Sequence, residues 1–150
     1  MSQSLSRIFI HLIFGTKNRV ASIDAEMLSD LHSYIGGIIK RLGCFPVIQG
    51  GTSDHVHCLY GLDAKCALAD TVREIKANSS RWLHENGSAN SKISWQAGYG
   101  AFSVSESNVE EVRDYIARQE EHHRRRTFRE EYILFLKKHN IPYDERYVFS

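Results

Sequence analysis

The stretch Arg7-Ile8-Phe9-Ile10-His11-Leu12-Ile13-Phe14 decides the fold. Alternate side chains of a β-strand point to opposite faces of a sheet. In this stretch both alternating sets are mostly apolar, and only Arg7 and His11 interrupt them. A strand that is apolar on both sides is typical of a central position, so the sequence predicts a sheet with this strand in its middle.

A helix is predicted over residues 27–42, where apolar side chains recur at helical spacing. Asp24 precedes this segment as a candidate amino-terminal cap, and Gly43 follows it as a stop. The clearest helix of the sequence therefore follows the central strand.

Two short β-prone segments, residues 45–49 and 55–60, come next. They are joined by Gly50-Gly51-Thr52-Ser53-Asp54, a composition that is typical of turns. Pro46 lacks a backbone N–H, which favours a place at a sheet edge or at the start of a strand. These features together predict a hairpin whose first strand lies at an edge.

The second half of the chain is predicted to hold a helix, a strand and two further helices. The second helix runs from Leu68 and ends before Asn86, and residues 95–104 lead into the fourth strand. Capping-box spacing places the starts of the last two helices at Ser107 and Thr127.

The predicted fold class is α+β. The element order matches a ferredoxin-like βαββαβ antiparallel sheet with helices on one face, followed by a third helix and a short C-terminal helical tail. With 150 residues the chain fits a single domain, 1–150. Within it we expect a core of about 5–126 and a helical tail of 127–150.

Composition excludes several classes of protein. Hydrophobic residues make up 42% and charged residues 25%, which disfavours collagen-like, coiled-coil and wholly disordered chains. No apolar stretch approaches the roughly 20 residues of a membrane-spanning helix, and the first residues lack the pattern of a signal peptide. We therefore expect a cytoplasmic protein with no membrane partner.

Charge and cysteine usage exclude less. The net charge of +1 does not by itself predict nucleic-acid binding, although Lys17-Asn18-Arg19 and Arg124-Arg125-Arg126 form local basic clusters. Cys44, Cys58 and Cys66 are an odd set without CxxC spacing. This pattern disfavours both a disulfide framework and a zinc site built on cysteine.

His55-Val56-His57 lies in the third predicted strand. Residues i and i+2 of a strand point the same way and lie roughly 6.5 Å apart, so both imidazoles share a face. Val56 then points to the opposite face, where a core helix can cover it. The triplet suits a rigid platform with two metal ligands. The alternative is a pair of half-exposed strand histidines, because such triplets also occur by chance.

The third predicted helix carries Tyr115, Gln119 and His122 at i, i+4 and i+7, in one row beside its apolar face. This row would look along the sheet surface toward the two histidines. The alternative is that Tyr115 borders the core with its hydroxyl in water.

A tyrosine hydroxyl titrates near pH ~10 and is a poor nucleophile at neutral pH. A divalent cation that polarises a phosphodiester makes attack by the phenolate feasible. Two neutral imidazoles and an amide oxygen leave most of the charge on a hard cation such as Mg²⁺ or Mn²⁺ uncancelled, which favours phosphate as the remaining ligand.

Three segments hold most of these residues: Asp54-His55-Val56-His57, residues 115–123 and residues 127–132. Together they resemble the HUH single-tyrosine transposases of bacterial insertion sequences, the IS200-like transposase family, which includes tyrosine transposases associated with palindromic repeats. His11 with residues 17–19, and residues 95–102, also resemble that family. The likeness extends over about the whole chain in order.

The resemblance implies a small ferredoxin-like DNA transposase that works as a homodimer and associates with the nucleoid during action. Such an enzyme cuts single-stranded DNA at hairpin-bearing element ends and rejoins it through a 5′-phosphotyrosine intermediate, with Mg²⁺ or Mn²⁺. Carried over residue by residue, Tyr115 is the nucleophile and His55, His57 and Gln119 are the metal ligands. Family dimers often place the tyrosine helix of one subunit against the histidine pair of the other.

Candidate DNA contacts are basic or imidazole side chains near these elements. They are Lys17, Arg19, Lys76, Arg81, His122, His123 and Arg124. The alternative for each is an ordinary solvated side chain. Trp95 or Tyr99 can stack on an unpaired base, with a place in the core as the alternative.

Three rival functions remain open. One is an HUH nicking enzyme of the replication or conjugation kind, which usually carries further domains. Another is a catalytically silent protein that binds hairpin DNA, and the third is a metal-dependent hydrolase that uses water as its nucleophile. Formation of a covalent adduct with DNA separates the transposase and the nicking enzyme from the other two.

Overall fold

The computed structural model describes residues 2–20, 23–87 and 93–150. Its strands are β1 (Phe9–Gly15), β2 (Phe45–Thr52), β3 (His55–Gly61) and β4 (Gly100–Val104). They form a four-stranded sheet in the order β2-β3-β1-β4, and every neighbouring pair is antiparallel. This order confirms the predicted ferredoxin-like sheet.

The helices follow the predicted sequence with one division. They are α1 (Leu28–Arg41), α2 (Leu68–Asn86), α3 (Val109–Ala117), α4 (Gln119–His123) and α5 (Phe128–Lys138). The third predicted helix is therefore two helices, α3 and α4, separated at Arg118. None of the helices in the described part of the chain is both long and apolar enough to cross a membrane.

Strand β1 is buried along its whole length and pairs with β3 on one side and β4 on the other, as its sequence predicts. Ile10, Leu12 and Phe14 point to the face that α1 and α2 cover, where they form the main core with Val56. The free thiols of the chain also belong to this side of the sheet. One layer of helices is thus held by the even-numbered side chains of β1.

The opposite face of the sheet is covered by α3 and α5. Phe9 packs with Leu59 and Ile116 of α3, whereas Ile13 packs with Phe128 of α5 and its neighbours. The protein therefore has three layers, and the sheet face that carries the odd-numbered residues of β1 is enclosed by the helices of the carboxyl-terminal half.

The hairpin between β2 and β3 is tighter than the composition suggests. Gly50 and Gly51 lie inside β2, and only Ser53 and Asp54 form the turn. Gly51 has φ of +148°, a conformation that favours glycine, and a side chain there would collide with the backbone of His55. These glycines allow two backbone segments to approach each other closely. Composition alone does not distinguish this role from that of a turn.

The predicted helix caps are formed in part. Neither Asp24 nor Ser107 makes a side-chain cap, because 3-10 turns precede α1 and α3 and take up the helix entry. At α5 the capping box is complete. The hydroxyl oxygen of Thr127 accepts from the backbone N–H of Glu130 at 3.2 Å, and the Glu130 carboxylate accepts from the N–H of Thr127 at 3.3 Å.

The last residues of the chain lie against α5 and the end of the sheet. The ring of Phe149 lies 5.4 Å from that of Tyr132 and 6.1 Å from that of Phe128, between centroids. The N–H of Gly98 donates to the carbonyl oxygen of Ser150 at 2.8 Å. This segment is docked, while the predicted boundary between core and tail stays a prediction.

Candidate functional site

Strand β3 presents His55 and His57 on the same face, with their ring centroids 5.1 Å apart. Val56 points into the core on the other side, as its position between them predicts. Both imidazoles are fully buried, because α4 and α5 cover this part of the sheet. They are therefore enclosed rather than half-exposed.

Each imidazole is held through its Nδ1 atom. His55 Nδ1 lies 2.7 Å from a carboxylate oxygen of Asp54 and 3.1 Å from the hydroxyl of Thr52. His57 Nδ1 lies 2.8 Å from Nε2 of His11, a buried residue of β1. Histidines that bind metals commonly have their second nitrogen engaged in this way, which makes Nε2 of each ring the candidate ligand atom.

The carboxylate of Glu131, on α5, lies opposite the two Nε2 atoms. Its Oε1 is 2.9 Å from Nε2 of His57 and 3.6 Å from Nε2 of His55. One ligand atom from each of the three residues lies within 4.8 Å of the others. Two imidazoles and a carboxylate suit a divalent cation, so the donor set fits a metal centre.

Gln119 also reaches this cluster. Its Oε1 lies 2.9 Å from Nε2 of His55, and its side-chain amide donates to Oε2 of Glu131 at 3.3 Å. His123 contacts both residues, with Nε2 at 3.2 Å from Gln119 Oε1 and 3.4 Å from Glu131 Oε1. Gln119 thus lies where the sequence places it, and its service as the third ligand stays a prediction.

The hydroxyl of Tyr115 donates to Oε2 of Glu131, so it is engaged at the cluster. Its ring stacks on that of His122, with centroids 4.4 Å apart. Burial and the negative charge of Glu131 raise the pKa of Tyr115 well above its ordinary value. The group is held as a neutral phenol, and its conversion into a phenolate needs added positive charge nearby.

The charge states of the other members follow from burial and contacts. Burial opposes the ionisation of Glu131, but hydrogen bonds with His123, His57 and Tyr115 outweigh it and hold the pKa of the carboxyl far below its ordinary value. Burial lowers the pKa of His57, which keeps the imidazole in the neutral form that binds metals. The cluster therefore combines one anionic ligand with neutral ones.

Tyr115, Gln119 and His122 come together, but not on the one continuous helix that their spacing predicts. A continuous helix is predicted, whereas Arg118 has φ of −108° and ψ of 32° and separates α3 from α4. Tyr115 and His122 still stack, and Gln119 is buried beside the histidines. The break redirects α4 over the sheet.

Glu131 is the residue that the sequence reasoning missed as a site candidate. On α5 it lies at i+3 from Phe128 and i−4 from Phe135, on the apolar face of the helix. An acidic side chain in an otherwise apolar row is seldom buried without a partner, and this is the signal that points to it. His11 gives the same signal as an inward polar residue in an apolar strand.

Three of the candidate DNA contacts surround the cluster. His122 and His123 pack on Tyr115 and on His55 respectively, at centroid distances of 4.4 Å. Arg124 follows α4, is exposed, and lines a cleft of 1010 Å³ between α1, β2 and α4. Their contact with DNA stays a prediction.

The other candidate contacts lie farther along the fold. Lys17 and Arg19 are exposed in the turn after β1, and the guanidinium of Arg19 lies 4.8 Å above the ring of Phe149. Arg81 is exposed on α2, across the sheet from the histidines. These three also stay predictions.

The polar groups of Lys76 and Trp95 already make hydrogen bonds within the protein. The ammonium of Lys76 donates to the carbonyl oxygens of residues 96–98 at 2.5, 2.9 and 3.1 Å. The indole N–H of Trp95 donates to the hydroxyl of Ser79 at 3.1 Å, and its ring packs on Phe14. Trp95 therefore takes the alternative role in the core, and a phosphate would compete with three carbonyls for Lys76.

We expect His11→Leu to weaken Mn²⁺ binding at the cluster by about 10- to 100-fold, the range for losing an outer partner of a metal-binding histidine. A cation on Nε2 leaves the proton of His57 on Nδ1, where His11 Nε2 accepts it. His11→Gln keeps an acceptor for that proton, so most of the affinity should remain. Isothermal titration of the folded variants measures this, and equal affinity in His11→Leu and the unchanged chain would disprove the orienting role.

Residues 4–119 match the family model described as Transposase IS200 like. The matched span contains His55, His57, Tyr115 and Gln119, and it ends before Glu131. None of the curated protein sequences matches the chain.

Two solved structures are similar in fold. A candidate transposase from Deinococcus radiodurans has a TM-score of 0.63 at 24% identity, with 79% of this chain and 98% of that chain covered. A REP-associated tyrosine transposase bound to a REP hairpin has a TM-score of 0.58 at 16% identity, with 82% of this chain and 74% of that chain covered. At these identities the likeness is one of fold.

Proposed function

Because the chain belongs to the IS200-like transposase family, we propose that it cleaves and rejoins single-stranded DNA at hairpin-bearing ends of a DNA element. The observation that carries the proposal is the contact between a tyrosine hydroxyl and a candidate metal cluster. Tyr115 donates to Glu131, and Glu131 lies against both His55 and His57. The hairpin in the structure of the REP-associated relative supports hairpin DNA as the partner.

The metal would be Mg²⁺ or Mn²⁺, held by His55, His57 and an oxygen of Glu131 or Gln119. When bound, such a cation polarises a phosphodiester and favours the charged form of a nearby nucleophile. Oη of Tyr115 attacks the phosphorus and the bond to the 3′-oxygen breaks, which leaves a 5′-phosphotyrosine and a free 3′-hydroxyl. Oε2 of Glu131 accepts a hydrogen bond from Tyr115 and so orients its hydroxyl, and the proton that the phenol gives up balances the one that the departing 3′-oxygen takes up.

Rejoining is the reverse step. A 3′-hydroxyl attacks the phosphotyrosine, and Tyr115 recovers its proton as the phosphodiester forms. The neutral phenol that burial and Glu131 favour is a product of this step. His122, stacked on the ring, restricts the directions in which Tyr115 can turn.

Mass spectrometry of the adduct tests this function. The chain is incubated with a pool of single-stranded hairpin DNAs and Mn²⁺, digested, and searched for nucleotide mass on the peptide that contains Tyr115. We expect the adduct with Mn²⁺, and neither with a chelator nor in His57→Ala. Cleavage without any adduct would instead identify a metal-dependent hydrolase, and hairpin binding without cleavage a catalytically silent binder.

The proposal includes a homodimer that associates with the nucleoid while it acts. In such a dimer Tyr115 of one subunit can serve the histidines of the other. Sedimentation velocity at micromolar concentration with hairpin DNA should show two protein chains per complex. A monomer under these conditions would contradict the shared site and leave the chemistry of a single chain intact.

A further inference from the structure

The structure holds a second feature beside the nucleophile, and we infer that it binds the nucleotide next to the scissile phosphate. It is a cavity of 400 Å³ between α3, α4 and α5, with Tyr115 in its wall. Its volume falls within the range of about 300–1,000 Å³ that is typical of small-ligand sites. This inference rests on the proposed function, because it places a part of the DNA substrate.

The inner wall of the cavity borders the candidate centre through Glu131. His11, Tyr115 and Glu131 all line it, whereas the larger cleft of 1010 Å³ on the other side of α4 is lined by Gln119 and not by Tyr115. A phosphate that Tyr115 attacks therefore has one neighbouring nucleotide on the side of this cavity. The residue at the helix break, Arg118, lines both spaces and connects them.

The outer wall is rich in positive charge. Arg118, Arg126 and Lys138 line it, and all three side chains are exposed. Within the described ranges, no ion pair involves any of them. Of the two carboxylates in the lining, Glu131 is occupied by the histidines and Tyr115, and Glu111 stands at the exposed side of α3. These cations can bind a phosphate of the DNA backbone, and the guanidinium of Arg118 also donates to the carbonyl oxygen of Asp114 at 3.5 Å.

The floor is apolar and partly aromatic. Val112 and Phe135 lie inside, and Phe135 packs edge-on against Tyr115 with ring centroids 5.7 Å apart. Leu134, which is 45% exposed, forms part of the rim. An apolar floor below a group of cations suits a nucleotide, whose base packs on the floor while its phosphate meets the cations. An inorganic phosphate uses the cations alone.

Arg126 and Lys138 line the same cavity as Tyr115. A nucleotide phosphate bound by Arg126 and Lys138 would therefore lie beside the tyrosine that attacks its neighbour. The cavity thus aligns the strand at the point of cleavage.

The test uses the full chain without metal, so that no cleavage occurs, and the four deoxynucleoside 3′,5′-bisphosphates as probes. Isothermal titration should detect binding, with Arg126→Gln and Lys138→Gln each weakening it about fivefold or more. The matched controls are Arg125→Gln and Lys137→Gln, which remove neighbouring exposed charges that do not line the cavity. The inference is overturned if the control variants weaken nucleotide binding equally. It is also overturned if no bisphosphate binds at concentrations up to about 10 mM.

Two further experiments complete the test. The first distinguishes nucleotide binding from binding of phosphate alone, and the second distinguishes the nucleotide cavity from the proposed chemistry. Leu134→Ser should weaken the binding of the bisphosphates and leave the binding of inorganic phosphate unchanged. In a site for phosphate alone, the substitution would change the affinity for both probes equally. Nucleotide binding as expected in a chain that forms no DNA adduct would reject the proposed chemistry and keep the cavity. If Arg126→Gln and Lys138→Gln form the DNA adduct normally and with unchanged KM, the cavity does not bind the neighbouring nucleotide. The proposed chemistry would then still stand.

Discussion

Tyr115→Phe should lower the yield of the covalent protein–DNA adduct by about a thousandfold or more, because the phenolic oxygen is the atom that forms the bond. The substitution keeps the ring, and with it the contacts with His122 and Phe135. It removes one hydrogen bond to Glu131, which retains His57 and other partners. We expect a loss of about 1–2 kcal/mol in the free energy of unfolding and a folded protein that still binds Mn²⁺ and hairpin DNA.

The measurement is denaturing electrophoresis of labelled hairpin DNA after incubation with Mn²⁺, which separates the covalent adduct from free DNA. Tyr132→Phe is a matched control, since it removes a hydroxyl from a buried tyrosine next to Glu131 whose ring packs on Phe128 and Phe149. The adduct should form normally in that variant. Persistence of the adduct in Tyr115→Phe would move the nucleophile elsewhere and end the proposed chemistry.

Glu131→Gln should weaken Mn²⁺ binding by about 100-fold or more, roughly 3 kcal/mol, since it removes the anionic member of a buried cluster. Glutamine has the same shape, so α5 still packs on the sheet. Its amide can present one oxygen, whereas the carboxylate contacts His57 and His123 through Oε1 and Gln119 and Tyr115 through Oε2.

Isothermal titration with Mn²⁺ measures this effect, and the Mn²⁺-dependent rise in melting temperature checks it independently. Glu130→Gln is the matched control, because glutamine also completes a capping box at this exposed position. Its metal affinity should equal that of the unchanged chain. If Glu131→Gln also bound Mn²⁺ normally, the third ligand would be Gln119, as the family resemblance implies.

The sequence predicts those features that depend on local periodicity. The two-residue repeat identifies β1 as the central strand and places both histidines of β3 on one face, and the apolar spacing identifies α1. The capping-box pattern locates the start of α5 at Thr127. In each case a few neighbouring residues suffice, because the physical cause lies within one element.

The features that depend on contacts between distant segments escape such reasoning. The break at Arg118 follows from the way in which α3 and α4 pack over the sheet. The helical spacing of the residues does not predict it. The approach of Glu131 to His57 depends on the angle at which α5 crosses the sheet. The glycines of β2 resemble a turn in composition, although Gly50 allows the backbone of α3 to come close at Ile116.

The hydrogen bonds around Glu131 join residues from different elements, and Glu131 follows His57 by 74 positions and Tyr115 by 16. Contacts between distant residues slow folding, because the entropy of closing the intervening chain is lost before the contact forms. During synthesis the histidines emerge before the carboxylate. A chain that stops before residue 128, through a frameshift or a nonsense codon, would keep the histidine pair and the tyrosine and lack their acidic partner.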